Sequence, residues 1–195
     1  IKAGRGGHIT INGPAGTGKT TMTKFIINYL ISTGVSGVML AAPTHGAKRV
    51  LSKLAGMAAN TIHSILKINP TTYEENMLFE QSEVPDMAKC RVLICDEASM
   101  YDRKLFQIIM ATIPSWCLII AIGDKSQIRP VEPGSIVPAL SPFFTHKDFE
   151  QLYLTEVMRS NAPIIKVATD IRNGEWIYEH LVDGEGVHGF TSQTA

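Results

Sequence analysis

The chain has 195 residues, 45% of them hydrophobic and 18% charged, enough for one α/β domain with a sizeable core and the opening of a second. Eighteen basic residues balance eighteen acidic ones, so no global field recruits a polyanion, and any nucleic-acid contact has to come from a local groove. Cys90, Cys95 and Cys117 show neither Cys-x-x-Cys spacing nor an even count and read as buried reduced thiols rather than zinc ligands. With no long apolar span and no signal-like segment, the expectation is a soluble cytoplasmic protein without a membrane partner. The chain opens on Ile1 and stops on "GFTSQTA", small polar residues without a terminal helix, which suggests a piece of something longer.

In chain order, "HITIN" (8–12) predicts a first strand. Residues 20–32 predict a helix, with Met22, Phe25, Ile26, Tyr29 and Leu30 at helical spacing. "GVMLAA" (37–42) predicts a second strand, and 46–55 a helix. Residues 64–90 break this rhythm with Pro70, Pro85, several acidic residues and a central "MLF"; they read as an insertion, expected to form a hairpin. "RVLICDE" (91–97) and "CLIIAIGD" (117–124) are apolar strands ending in carboxylates, separated by a helix over 103–112. "QLYLTE" (151–156) is one more candidate strand, and 162–174 a helix closed by Gly174. Trp116 and Trp176 read as packing residues. Apolar strands alternating with helices predict a parallel sheet covered on both faces, whose ligands gather at the carboxyl ends of the strands. The glycine-rich loop after the first strand and the strand-terminal acids all fall on that edge.

That loop, "INGPAGTGKTT" (11–21), matches G-x-x-x-x-G-K-[ST] at Gly13, Gly18, Lys19 and Thr20. Its chemistry explains its composition. Across Gly13, Pro14, Ala15, Gly16, Thr17 and Gly18, the glycines let the loop's backbone N–H groups (Pro14 has none) turn inward on a phosphate chain. Lys19 reaches the β- and γ-phosphates, the Thr20 hydroxyl is placed to ligate Mg²⁺, and Thr21 continues the first helical turn, whose dipole favours an anion. "VLICDEAS" supplies the partner acids: Asp96 for the Mg²⁺ ion, and Glu97 to polarise an attacking water, which favours ATP hydrolysis over transfer to another acceptor.

Taken together, these motifs resemble superfamily 1 helicases of the RecD-like branch, and the resemblance runs over nearly the whole chain. "GPAGTGKT" is similar to motif I, "APTHGAK" (42–48) to motif Ia, "TIHSIL" (61–66) to motif Ib, and "CDEAS" to motif II. "GDKSQIRPV" (123–131) is similar to motif III and "LTEVMRSN" (154–161) to motif IV. The resemblance implies a RecA-like P-loop fold carrying an ATP-dependent DNA helicase, moving 5′ to 3′, that acts as a monomer with replication or recombination proteins. It makes Gln127 the sensor of the γ-phosphate and Arg159 an arginine finger from a second domain. Pro43, Thr44, His45, Thr61 and His63 would line the track of single-stranded DNA. Phe79 would sit near the tip of a pin that meets fork DNA. The domain division it implies is 1–63 and 91–150 for the first RecA-like domain, 64–90 for the pin, and 151–195 for the start of the second.

The residues alone leave other readings open. Pro43 and Thr44 also suit a strand end and a helix cap, His63 a hydrogen-bonded structural histidine, Arg159 a surface arginine, and Phe79 hairpin packing. The adenine-recognition segment and motifs V and VI of the family do not occur in this stretch, so feeble hydrolysis is expected of it alone. A small-molecule P-loop kinase explains the loop but not "DEAS" or "GDKSQ", and a nucleotide-gated binding module is the third reading.

Overall fold

In a computed structural model, residues 7–68, 83–130, 138–157 and 162–175 are described, with the backbone alone for 162–165. Among them, six strands form one parallel sheet: β1 (His8–Asn12), β2 (Val38–Ala42), β3 (Ala59–Thr61), β4 (Val92–Cys95), β5 (Leu118–Gly123) and β6 (Phe149–Tyr153). The spatial order is β3-β2-β4-β5-β1-β6. The helices are α1 (Lys19–Ser32), α2 (His45–Ala55), α3 (Ile62–Ile65), α4 (Arg103–Thr112) and α5 (Ala162–Asn173).

Alternate residues of the central strands face opposite cores, which is why those strands read as unbroken apolar runs. Val92 and Ile94 of β4, with Ile120 and Ile122 of β5, join Ile27 and Leu30 of α1 and Leu51 of α2. Leu93 and Cys95, with Ile119 and Ala121, join Ile62 and Ile65 of α3, Leu105, Phe106 and Ile109 of α4, and the aromatic turn at Phe143 and Phe144. The sheet is therefore covered on both faces, as expected of a RecA-like P-loop fold. Cys90, Cys95 and Cys117 are free and buried, as their placement in apolar runs suggested.

Several expectations shift. The face α1 buries is Thr23, Ile27 and Leu30, whereas Phe25 and Tyr29 stand 72% and 62% exposed. Apolar residues lie around most of this helix, so spacing alone did not select the stripe that meets the sheet. Trp116 is exposed rather than packed, because it lies in the turn between α4 and β5 instead of on an element. The short β3 and α3 were legible as a motif but not as elements. Of the insertion at 64–90, residues 69–82 lie outside the described part, and the ends are rooted in the core through Ile65, Leu66, Ile68, Met87 and Cys90. The strand expected at 151–156 is β6, which pairs in register with β1 (Asn12 opposite Tyr153), so a cut after residue 150 would fall inside it. Gly174, at φ 74°, closes α5 as the sequence indicated.

Candidate nucleotide site

Because all the strand pairs are parallel, the carboxyl ends lie along one edge. Asn12 aligns with Gly123 and with Tyr153, and Ala42 with Thr61. Every candidate residue among the described ones leaves from this edge.

Residues 13–18 carry the chain from β1 into α1. The Gly13 N–H donates to the Gly123 carbonyl at 3.0 Å, and a Cβ on Gly13 would stand 2.6 Å from Thr17 Oγ1 and 2.9 Å from Leu154 Cβ. No side chain fits there. At Gly18 the requirement is conformational: φ of 80° is left-handed, and α1 starts from it. The helices α2, α3 and α4 open with Thr44, Thr61 and Asp102 accepting a first-turn N–H. α1 has no such side-chain cap, so its first-turn amides stay open to an anion.

Lys19 Nζ folds back over the loop, donating to the carbonyls of Gly13 at 2.8 Å and Pro14 at 2.9 Å. Burial holds its pKa below the ordinary lysine value, opposed by the carboxylates of Asp124, Glu97 and Asp96. One ammonium thus shares an electrostatic environment with acids from the ends of β4 and β5. Asp96 follows β4 and donates its N–H to the Ala41 carbonyl at 2.9 Å. Burial first, and then the charge of Glu97, push its carboxyl up to about 6, with Lys19 pulling the other way. A carboxylate so placed favours an arriving cation. Glu97 sits at φ 51° and ψ 48°, left-handed for a residue with a side chain, a strain of about 1 kcal/mol or more that the surrounding packing maintains.

Gln127 is exposed in the turn after β5. Asp124 builds that turn: its carbonyl accepts the Gln127 N–H and its Oδ1 accepts the Ser126 N–H, both at 3.0 Å. Asn12 Oδ1 accepts the Lys125 N–H at 3.0 Å, which fastens the turn to the start of the glycine loop. Asp124 Oδ2 accepts from Arg172 Nη2 at 2.7 Å. The sequence reading gave neither Asp124 nor Arg172 a role. Asp124 carried the same signal as Asp96, an acid ending an apolar strand; Arg172 carried none.

On the β2 and β3 side, Thr44 and His45 are exposed and Pro43 is half-buried. Thr44 Oγ1 accepts the Ala47 N–H at 3.2 Å and the buried Thr61 Oγ1 accepts the Ser64 N–H at 3.2 Å, so both threonines act as helix caps. His63 lies half-buried on α3. Arg159 and Phe79 fall outside the described residues.

A family model described as an AAA domain matches residues 3–192. The chain belongs to that family. It is 73% identical over 188 residues to the ATP-dependent DNA helicase dda of Enterobacteria phage T4, an alignment that covers 96% of this chain and 43% of that protein. To the ATP-dependent RecD2 DNA helicase of Deinococcus radiodurans it is 33% identical over 169 residues, 86% of this chain and 22% of that one. Among solved structures it resembles Bacteroides Pif1 bound to ssDNA, with a TM-score of 0.58 and 28% identity over 90% of this chain and 45% of that chain. The chain therefore spans less than half the length of these relatives.

What this AAA domain offers chemically is consistent with a nucleoside triphosphate: open helix amides, an ammonium, and two carboxylates opposite. Among the described residues no group of three or more His, Cys, Asp or Glu could hold a metal ion alone. A hard divalent cation here would need phosphate oxygens beside Asp96 and the Thr20 hydroxyl, the usual way Mg²⁺ is bound at such sites. No helix among the described residues is long and apolar enough to cross a membrane.

Proposed function

We propose that this chain is the nucleotide-binding part of an ATP-dependent DNA helicase motor. The observation that carries the reading is the placement of Lys19 between its glycine loop and the acids of β4 and β5, on the edge that also holds the motif III turn. The names of the relatives agree with it. Residues 13–18 with Thr21 and the open amides of α1 would cradle the phosphates, and Lys19 would exchange its bonds to Gly13 and Pro14 for phosphate oxygens. Mg²⁺, held by Thr20 and Asp96, would supply charge neutralisation at the phosphates. Glu97 would orient and deprotonate the attacking water, and Gln127 would register the γ-phosphate. Arg159 would contribute an arginine finger from a second RecA-like domain that we place after β6. Single-stranded DNA would cross the β2–β3 end of the edge, near Pro43, Thr44, His45 and His63; Thr61, buried as a cap, would shape that surface from beneath. Phe79 on the pin would meet fork DNA, and movement would run 5′ to 3′.

The test is the ATPase rate of the full-length protein with and without single-stranded DNA. Stimulation by DNA is expected, and a rate indifferent to DNA overturns the reading. ADP release that requires a small-molecule acceptor would select a kinase, and tight ATP binding without turnover a nucleotide-gated binding module.

A further inference from the structure

Asp124 is 1% exposed, and its two carboxylate oxygens serve different segments. Oδ1 holds the Ser126 N–H and with it the turn that presents Gln127. Oδ2 holds Arg172, on α5, 48 residues along the chain and beyond β6. The Arg172 side chain is 29% exposed, so the bond lies at the rim of the site with the acid end buried. A carboxylate taken out of water needs a cation, and the structure brings two within electrostatic reach. Lys19 feels Asp124 as its leading stabilising charge and Arg172 as an opposing one. With Arg172 on Asp124, Lys19 is left to the loop carbonyls and to an incoming phosphate. Without Arg172, Asp124 would draw on Lys19 and its turn would lose its outer tether.

We infer that Arg172 is a positioning residue for the phosphate chemistry: its bond to Asp124 ties helix α5 to the turn bearing Gln127, so that movement of the segment beyond β6 reaches the nucleotide site. The inference rests on the ATPase reading above, in which that segment leads into the second domain. It predicts that DNA-driven movement of that domain reaches the site in part through this bond. The bond qualifies physically because it is a charge-assisted contact of 2.7 Å onto a buried carboxylate, joining two segments 48 residues apart.

The experiment is a double-mutant cycle in the full-length protein, reading the ratio of DNA-stimulated to basal ATP turnover together with thermal stability. A merely structural role would lower the folded fraction, reduce both rates alike and leave the ratio unchanged. R172A is expected to lower the ratio about tenfold, within the usual range of coupling between sites. R172K, which keeps a cation within reach, should recover part of it. D124N keeps the oxygen that accepts the Ser126 N–H but gives up the ion pair, so the loss in D124N/R172A should equal that in R172A rather than multiply. The double variant should also regain the melting temperature lost in R172A, because no buried charge is left unpaired, and it carries the test if R172A is too unstable to purify. A parental ratio in R172A, multiplying losses, or a double variant that recovers the ratio along with stability overturns the inference. A parent that lacks stimulation by DNA overturns the helicase reading first, and so the two failures are told apart.

Discussion

Replacing Asp96 with asparagine is expected to stabilise this fold while disabling its site. Burial and the adjacent Glu97 lift the Asp96 carboxyl from 3.8 to about 6, against the pull of Lys19. A rise of about two units, at ~1.4 kcal/mol each, means that the ionised side chain costs the nucleotide-free fold about 3 kcal/mol. The direction with pH follows from proton binding. Between pH 3.8 and about 6 the folded state keeps a proton that the unfolded state has released, so stability falls as pH rises through that window and the full cost is present at pH 8. Asparagine has nearly the same shape, keeps an acceptor oxygen and carries no charge. D96N should therefore raise the melting temperature at pH 8 by roughly 6–12 °C for a chain of this size, and by little at pH 4. The assay is thermal unfolding of parent and variant in EDTA without nucleotide at both pH values, with ATP turnover measured in parallel and expected to fall to background. A variant that melts with or below the parent at pH 8, or gains as much at pH 4, refutes the reasoning.

Gly13→Ala should cost about 1–3 kcal/mol in chemical unfolding and weaken nucleotide binding, since its Cβ has to displace both Thr17 Oγ1 and Leu154. Glu97→Gln should retain ATP on the protein while turnover stops, read by filter binding beside ATPase rate; unchanged turnover would remove the water-activating role from Glu97. His8 Nδ1 accepts the Ile119 N–H at 3.2 Å, and burial holds its pKa below 6.5, so the fold keeps it neutral. As pH drops below 6.5 the unfolded state takes up the proton first and stability declines. His8→Asn, which retains an acceptor but not the titration, should flatten that slope in melts between pH 7.5 and 5.5.

The parts of this molecule that could be read from sequence are those written in local pattern. β4 and β5 were legible because four to six consecutive apolar residues, Val92–Cys95 and Leu118–Gly123, are what burial on two faces demands. The loop at 13–18 was legible as a sharp turn because Gly13 has no room for a Cβ and Gly18 needs a left-handed φ. Thr44 and Thr61 show the limit of this approach: the residue type suits both a cap and a phosphate contact, and packing gives both threonines the cap. Phe25 and Tyr29 show it again, since helical spacing marks two stripes on α1 and the sheet takes the other. Arg172 was beyond reach altogether. Its partner is 48 residues away, and nothing in "TDIRNG" distinguishes it from a solvated arginine on the last turn of a helix.

What tertiary structure adds is the way the separate loops are fastened to one another. β5 lies between β4 and β1, so the turn after it stands between the carboxylates at Asp96 and Glu97 and the loop that begins at Gly13. Three contacts close the gap from different directions: Gly13 N–H to the Gly123 carbonyl, Lys125 N–H to Asn12 Oδ1, and Arg172 to Asp124. Asn12 is 5% exposed and Asp124 1%, so neither can move without uncovering a buried polar group, which costs about 1–3 kcal/mol for an unpaired hydrogen-bonding partner. In the proposed function, a loop that would change partners on binding phosphate is thereby attached to a turn held by buried polar groups. Lys19 would be the member to switch, because its present acceptors are carbonyls of its own loop rather than a carboxylate. The frame of the site is thus held by buried polar groups, and Arg172 is a side-chain tie from it toward the chain beyond β6.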